Sequence, residues 1–278
     1  MPPLPTLFDL SSRVAVITGG AGLLGTEFSR TLSAAGASVV VADIDINGAQ
    51  SVADSITRDF SAPNKNPPAT AIQTDVTDKS SAKDMVDETI RQFGRLDILV
   101  NSAVLDPKFD PAHGGHVNAF EDFPLEAWNQ AIEVNLTGAF LSSQAAVVPM
   151  LKQGKGVIIN LSSIYGITGP DQRLYQQEDR PQQYKPIFYS VTKTGVLGMT
   201  HYLATYYAGK NIRVNALSPG GVYNGHDEAF VQAYSARTVL GRMADKSDMN
   251  GDLLFLASDA SSYMTGANLV VDGGWSVW

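Results

Sequence analysis

The chain has 278 residues, of which 44% are apolar and 17% charged; 20 basic and 28 acidic side chains give a formal charge of −8. This length suits one sizeable α/β domain, and the balance is that of a globular rather than a disordered chain. The negative sign argues against a nucleic-acid backbone or an anionic membrane as partner, and the absence of cysteine excludes disulfides and thiolate metal sites.

Strand-like and helix-like segments alternate along the chain. Arg13 to Thr18 reads as a buried strand, followed by a helical pattern from Leu23 to Ala35, a strand from Ser38 to Asp43 and a helix from Asn47 to Phe60. Ser61 to Pro68 is a loop, Ala69 to Thr74 a strand, Lys79 to Phe93 a helix and Leu96 to Val100 a strand. A long helix from Leu125 to Leu151 precedes a strand from Gly156 to Leu161. Ile187 to Ala208 is helical, Ile212 to Leu217 a strand, and helical segments fill Asp227 to Ala257 before a last strand, Asn268 to Val271. The strands are apolar throughout rather than alternating, so both sheet faces are covered. Such repetition predicts one domain spanning residues 1–278, a doubly wound parallel seven-stranded sheet of Rossmann type. Met1-Pro2-Pro3-Leu4-Pro5 lacks the marks of a secretory signal, and no apolar run reaches the roughly 18 residues of a transmembrane helix, so a cytoplasmic protein is expected.

Thr18-Gly19-Gly20-Ala21-Gly22-Leu23-Leu24-Gly25 lies where the first strand gives way to the first helix. Glycines there permit a tight turn and bring backbone N–H groups against a pyrophosphate. Asp43 ends the second strand and can accept both hydroxyls of an adenosine ribose while repelling a 2′-phosphate. Asp45 adds negative charge, which points to NAD rather than NADP. Further along, Tyr189 and Lys193 stand four residues apart, one above the other on a helix. A phenol with a pKa of about 10 needs roughly 4 kcal/mol of differential stabilisation to act as a base at neutral pH. A neighbouring ammonium is expected to supply part of it, which suits alcohol–carbonyl chemistry.

Taken in order, these motifs resemble the short-chain dehydrogenase/reductase family over nearly the whole chain. Thr18 to Gly25 looks like its Thr-Gly-x-x-x-Gly-x-Gly loop, with Gly22 standing one place before the usual middle glycine. Asp75-Val76 resembles the adenine-contacting pair, and Asn101-Ser102-Ala103 stands where the family carries Asn-Asn-Ala. Asn135, Ser163, Tyr189 and Lys193 match the catalytic tetrad; Ser218-Pro219-Gly220 matches the turn bordering the nicotinamide, and Val271-Asp272-Gly273-Gly274 the C-terminal signature. The resemblance implies that Tyr189 transfers a proton, Ser163 bonds the substrate oxygen and Lys193 binds the nicotinamide ribose and lowers the tyrosine pKa. Asn135 would hold a water linked to Lys193. Cofactor contacts would come from Gly19, Ala21, Gly22, Leu23, Leu24, Gly25, Asp43, Ile44, Asp75, Val76, Asn101, Ser102, Ala103, Tyr189, Lys193, Pro219, Gly220 and Val222. It also implies a homo-oligomer, dimer or tetramer, formed through the helices carrying Asn135 and Tyr189.

The stretch from Gly169 to Pro186 is longer than in most members and rich in Asp, Gln, Arg and Tyr. Together with Val104 to Phe123 and Val222 to Tyr234 it is expected to cover the cleft and favour a small, polar, carbohydrate-like substrate. Tyr165-Gly166, Gly169-Pro170-Asp171 and Pro219-Gly220-Gly221 resemble members from bacterial surface-sugar pathways. A 3-oxoacyl thioester reductase and a non-catalytic dinucleotide-binding regulator are the alternatives. His113 and His116, with Asp106 and Asp110 upstream, lack a rigid third ligand, so no metal is expected. Trp275 and Trp278 are expected to pack against another subunit or a substrate loop.

Overall fold

Seven strands pair in parallel in the computed structural model, which describes residues 4–60, 68–106, 118–176 and 182–278. They are β1 (Val14–Thr18), β2 (Ser38–Asp43), β3 (Ala69–Gln73), β4 (Ile98–Asn101), β5 (Gly156–Leu161), β6 (Ile212–Pro219) and β7 (Asn268–Val271), in the order β3-β2-β1-β4-β5-β6-β7. After a short α1 (Leu4–Leu7), the principal helices are α2 (Leu23–Ala34), α3 (Ile46–Phe60), α4 (Lys79–Phe93), α5 (Leu125–Ile132), α6 (Gly138–Gln153), α7 (Ile187–Tyr206), α8 (Glu228–Ser235) and α9 (Asn250–Ala257).

The continuous apolar strands are explained by two cores. Ile17, Val41, Val100, Ile159 and Leu217 face Phe28 and Leu32 of α2, Ile56 of α3 and Leu253 of α9. Val16, Val40, Leu99, Ile158 and Val214, one residue out of phase, face Met85 of α4 and Ala146 and Met150 of α6. With both faces dry, alternation has no place.

Two boundaries differ from the sequence expectation for physical reasons. β4 begins at Ile98 rather than Leu96, because the Gln153 side chain occupies the Leu96 backbone: its amide donates to the Leu96 carbonyl (2.8 Å) and its carbonyl accepts from the Leu96 N–H (3.0 Å). The long helix is not regular either. Between α5 and α6, Glu133–Thr137 forms a π-helical turn that adds a residue to the winding. The combined run Leu125–Gln153 passes for a membrane span by length and composition. Yet it contributes Ala146, Val147 and Met150 to the core, leaving Phe140, Val148 and Leu151 exposed.

All seven strands point the same way, so the ends of β1, β2, β4, β5 and β6 open onto one edge. Strand order reverses between β1 and β4, which leaves a crevice there between the outgoing loops.

Candidate active site

Backbone contacts build the crevice first. The Thr18 hydroxyl donates to the Val100 carbonyl (3.4 Å) and accepts from the N–H groups of Ser102 (3.2 Å) and Ala103 (3.4 Å), locking the end of β1 to that of β4. Gly19 has φ +64°, and a Cβ there would lie 2.7 Å from the Ala103 Cα; only glycine fits. Gly25 is tighter still, its missing Cβ falling 2.0 Å from the Gly19 carbonyl oxygen. Gly22 is the N-cap of α2 and, lacking a side chain, leaves the helix N–H groups without a side-chain acceptor. Gly19, Gly22, Leu23, Leu24 and Gly25 line the cleft. An uncapped helix start beside backbone packed too closely for any side chain suits a pyrophosphate. The displaced middle glycine is thus accommodated, since Leu23 simply opens the helix.

Asp43 lies beside this loop. One carboxylate oxygen accepts the Ala21 N–H (2.9 Å), the other the Asp45 N–H (3.1 Å), with Ile44 exposed next to it. Asp75 and Val76 follow β3: Asp75 accepts from the Thr77 N–H and hydroxyl, and Val76 packs on Gly138. Asn101 points inward, donating to Ser143 Oγ (2.9 Å) and Asn160 Oδ1 (2.8 Å), so Ser102 lines the cleft in its stead.

Ser163, Tyr189 and Lys193 converge where β5 and α7 meet. The Ser163 hydroxyl accepts the Tyr165 N–H (3.1 Å) and lies near enough to the Tyr189 phenol to favour its ionised form. Lys193 Nζ sits 5.8 Å from the Tyr189 ring centre and donates to the Leu161 carbonyl (2.7 Å). Asn135, in the π turn, accepts the Leu105 N–H (2.6 Å) and donates to the Leu105 carbonyl (3.1 Å) and Thr192 Oγ1 (3.4 Å). The amide therefore stitches the loop after β4 to α7, and its contacts run to Leu105 and Thr192 rather than to Lys193. A regular helix at this point would turn Asn135 elsewhere, which gives the π turn its local consequence.

Burial dominates the electrostatics of the pair. Burial raises the Tyr189 pKa well above its ordinary value; Asp106 raises it further, and the Ser163 hydroxyl pulls it down. Burial lowers the Lys193 pKa to about 8, with Asp106 opposing and Lys185 reinforcing the change. Desolvation is the largest influence on both groups and acts against the charged form of each.

A cleft of about 560 Å³ joins the glycine loop, Ser163, Tyr189, Lys193 and the β6 turn of Pro219, Gly220 and Val222. The cleft wall is more aromatic than the sequence suggests. Tyr165 meets Tyr189 edge-on (6.4 Å), Tyr175 packs on Phe230 (5.6 Å), and the Tyr165 and Tyr175 hydroxyls lie 3.2 Å apart. Several polar groups among the insertion's described residues pair close by. Asp171 pairs with Arg173 and Arg237, and Gln172 accepts the Lys185 N–H (2.9 Å) and donates to its carbonyl (3.3 Å). Among its described residues, Leu174, Tyr175, Gln183 and Lys185 line the cleft. Trp275 is buried, stacked on Tyr234 of the cleft-wall segment (4.3 Å) under the Arg237 guanidinium, the second of the two expected arrangements. Trp278 is exposed, its indole N–H donating to the Arg237 carbonyl (2.9 Å).

Sequence reasoning missed Lys185. Its ammonium lies 3.9 Å from the Tyr189 ring centre and pairs with Asp106 at 2.6 and 2.9 Å. Lys185 precedes the first residue of α7, so helical spacing could not place it there. His113, His116 and Asp110 lie outside the described residues, among which no cluster of His, Asp or Glu could hold a metal.

Known proteins agree with this architecture. A family model described as enoyl-(acyl carrier protein) reductase matches residues 20–276. The chain is 35% identical to trans-4-hydroxycyclohexanecarboxylate dehydrogenase of Sinomonas cyclohexanicum over 95% of this chain and 93% of that one. A short-chain dehydrogenase of Leptospira borgpetersenii with bound NAD+ superposes with a TM-score of 0.80 at 34% identity, covering 96% and 94% of the two chains. A gluconate 5-dehydrogenase of Burkholderia cenocepacia in complex with NADP and tartrate gives 0.85 at 27% identity over 99% and 100%. The extent of these matches, with the parallel sheet and its glycine loop, shows that the chain belongs to the short-chain dehydrogenase/reductase family.

Proposed function

We propose that the chain interconverts a secondary alcohol and a ketone with NAD(H), on a ring-shaped substrate carrying polar substituents. The observation that carries this reading is the convergence of Ser163, Tyr189 and Lys193 in one cleft with the glycine loop. The nicotinamide supplies the hydride acceptor or donor when bound. Ser163 hydrogen-bonds the substrate oxygen; Tyr189 takes the hydroxyl proton in oxidation and returns it in reduction. Lys193 holds the nicotinamide ribose and, as an ammonium, favours the phenolate; Asn135 fixes α7 against the loop after β4.

Gly19, Ala21, Gly22, Leu23, Leu24 and Gly25 hold the pyrophosphate, with Asp75, Val76, Asn101, Ser102 and Ala103 around the adenosine end and the crevice floor. Pro219, Gly220 and Val222 border the nicotinamide. NAD is favoured over NADP because the Asp43 carboxylate lies against the glycine loop and would repel a 2′-phosphate.

The aromatic wall supports a cyclic substrate, since the C–H faces of a pyranose or a hydroxylated cyclohexane pack on Tyr and Phe rings. A linear acyl chain gains less from such a surface. Phe140, Val148 and Leu151 on α6, with Tyr202 and Tyr206 on α7, form exposed apolar area that supports a homo-oligomer through these helices.

The test is an NAD-linked activity panel of cyclic polyols, hydroxycyclohexanecarboxylates, a steroidal alcohol and a 3-oxoacyl thioester, run with wild type and Tyr189→Phe. Cyclic polar alcohols should turn over best. Tyr189→Phe should lose at least about a thousandfold in kcat, in line with the loss of a general acid/base, with NAD affinity near wild type. Preference for the steroid or thioester overturns the substrate reading; substantial turnover by Tyr189→Phe overturns the chemistry.

A further inference from the structure

We propose that Lys185 is a second cation for Tyr189, an ammonium held over the face of the catalytic phenol by Asp106 so that it stabilises the phenolate during proton transfer. The inference rests on the proposed acid/base role of Tyr189 and adds a positioning residue to that site.

The geometry is specific. Lys185 Nζ is 3.9 Å from the centre of the Tyr189 ring, closer than Lys193 Nζ at 5.8 Å. The Lys185 side chain is 13% exposed against 35% for Asp106, so the positive end of the pair lies inward over the ring and the negative end toward solvent. An ammonium over an aromatic face is attracted to the π-system, and more strongly once the phenol carries negative charge. Both oxygens of Asp106 bond the ammonium, which fixes its place.

The other groups around Tyr189 cannot replace it. Ser163 is a neutral hydroxyl and Tyr165, Tyr175 and Tyr234 are phenols, while Asp106 itself disfavours the phenolate. Lys193 is the other cation in contact with the ring, and Lys185 lowers its pKa. The two ammonium groups thus compete for charge around one phenol, and removing either makes the other carry the whole stabilisation.

Alcohol oxidation involves a balanced transfer: the carbinol O–H bond breaks, the proton goes to Tyr189 Oη, and the C–H hydride leaves with its electron pair to the nicotinamide. Anything that stabilises the phenolate lowers the pH at which this step becomes fast. Since Lys185 approaches from the insertion and Asp106 from the loop after β4, that acidity is tied to the two segments being together.

The experiment compares wild type, Lys185→Met and Lys185→Arg in the NAD-dependent oxidation of the best alcohol from the panel. The readouts are the pH profile of kcat/KM and tyrosinate absorbance of the NAD complex. Lys185→Met should move the profile about one unit to higher pH, with roughly a tenfold loss at pH 7, equivalent to about 1.4 kcal/mol. Its tyrosinate signal should shift the same way, and Lys185→Arg should restore most of both. A uniform loss at every pH with an unmoved midpoint, or a Lys185→Met profile that matches wild type, overturns the proposal. Thermal melts identify a variant that fails to fold; in that case Lys185→Gln replaces Lys185→Met under the same criteria. If Tyr189→Phe remains active, the acid/base reading itself has failed, a separate result.

Discussion

Gly25→Ala tests whether the glycine loop is built as the geometry says. The added Cβ would sit 2.0 Å from the Gly19 carbonyl oxygen, 2.8 Å from the Gly20 Cα and 2.9 Å from the Gly19 carbonyl carbon. All three are backbone atoms, so no rotamer change relieves the clash. Ordinary contact begins at 3.4 Å, and the start of α2 must therefore withdraw from the loop by more than an ångström. Overpacking of this kind costs about 1–3 kcal/mol in the free protein. The same displacement pulls the helix N–H groups off the pyrophosphate, which should weaken NAD at least tenfold, about 1.4 kcal/mol. Gly22→Ala is the control: its Cβ would meet the same Gly19 oxygen at 3.2 Å, and its φ of −71° is open to any residue. Denaturant unfolding and calorimetric NAD titration measure both effects. The reasoning fails if Gly25→Ala behaves as wild type in both assays, or if Gly22→Ala is the more damaging change.

Two further predictions concern charge. The Lys193 pKa of about 8 in the fold, against 10.5 as its ordinary value, means that the unfolded chain binds more protons between these limits. Stability from this group therefore rises with pH across that window, by up to about 3 kcal/mol, and is lost again as pH falls through 8. Lys193→Met should flatten the rise when urea unfolding is compared at pH 7.5 and 9.5, and an unchanged slope would refute the assignment. Asp43→Ala with Asp45→Arg should shift kcat/KM at least tenfold toward NADP, since the first change removes a repelling carboxylate and the second supplies a cation. It should also cost about 1 kcal/mol, because the Asp45 side chain accepts the N–H groups of Asn47 and Gly48 at the start of α3. A wild type that already prefers NADP would sink this prediction.

The sheet was legible because each strand is short, apolar and bounded by turn residues, and both its faces had to be covered. β2 and β5 were read to the residue, whereas the start of β4 was misplaced, because what delays it is not local: Gln153, over fifty positions away, takes the Leu96 backbone. The π turn was invisible for a related reason. Glu133 to Thr137 has an ordinary helical composition, and the extra residue is paid for by contacts that Asn135 makes with Leu105 and Thr192. Local propensity carries no record of either.

The polar insertion shows what composition alone leaves unassigned. A count of Asp, Gln and Arg suggests a hydrophilic lid, but a buried or half-buried polar group must find a partner, and the nearest partners are usually neighbours in the same segment. Asp171 pairs with Arg173 and Arg237, and Gln172 with the Lys185 backbone, so among the described residues of the insertion those that line the cleft are Leu174, Tyr175, Gln183 and Lys185. The same accounting applies to the Tyr189–Lys193 pair. Spacing on a helix brought the two groups together as expected, yet charge attraction and desolvation act in opposite directions, and only the packed site reveals which prevails. Here desolvation does, for both groups at once: the phenol holds its proton more tightly and the amine less. The second ammonium seated on the Tyr189 ring, Lys185, is therefore the group whose removal tests how that balance is struck.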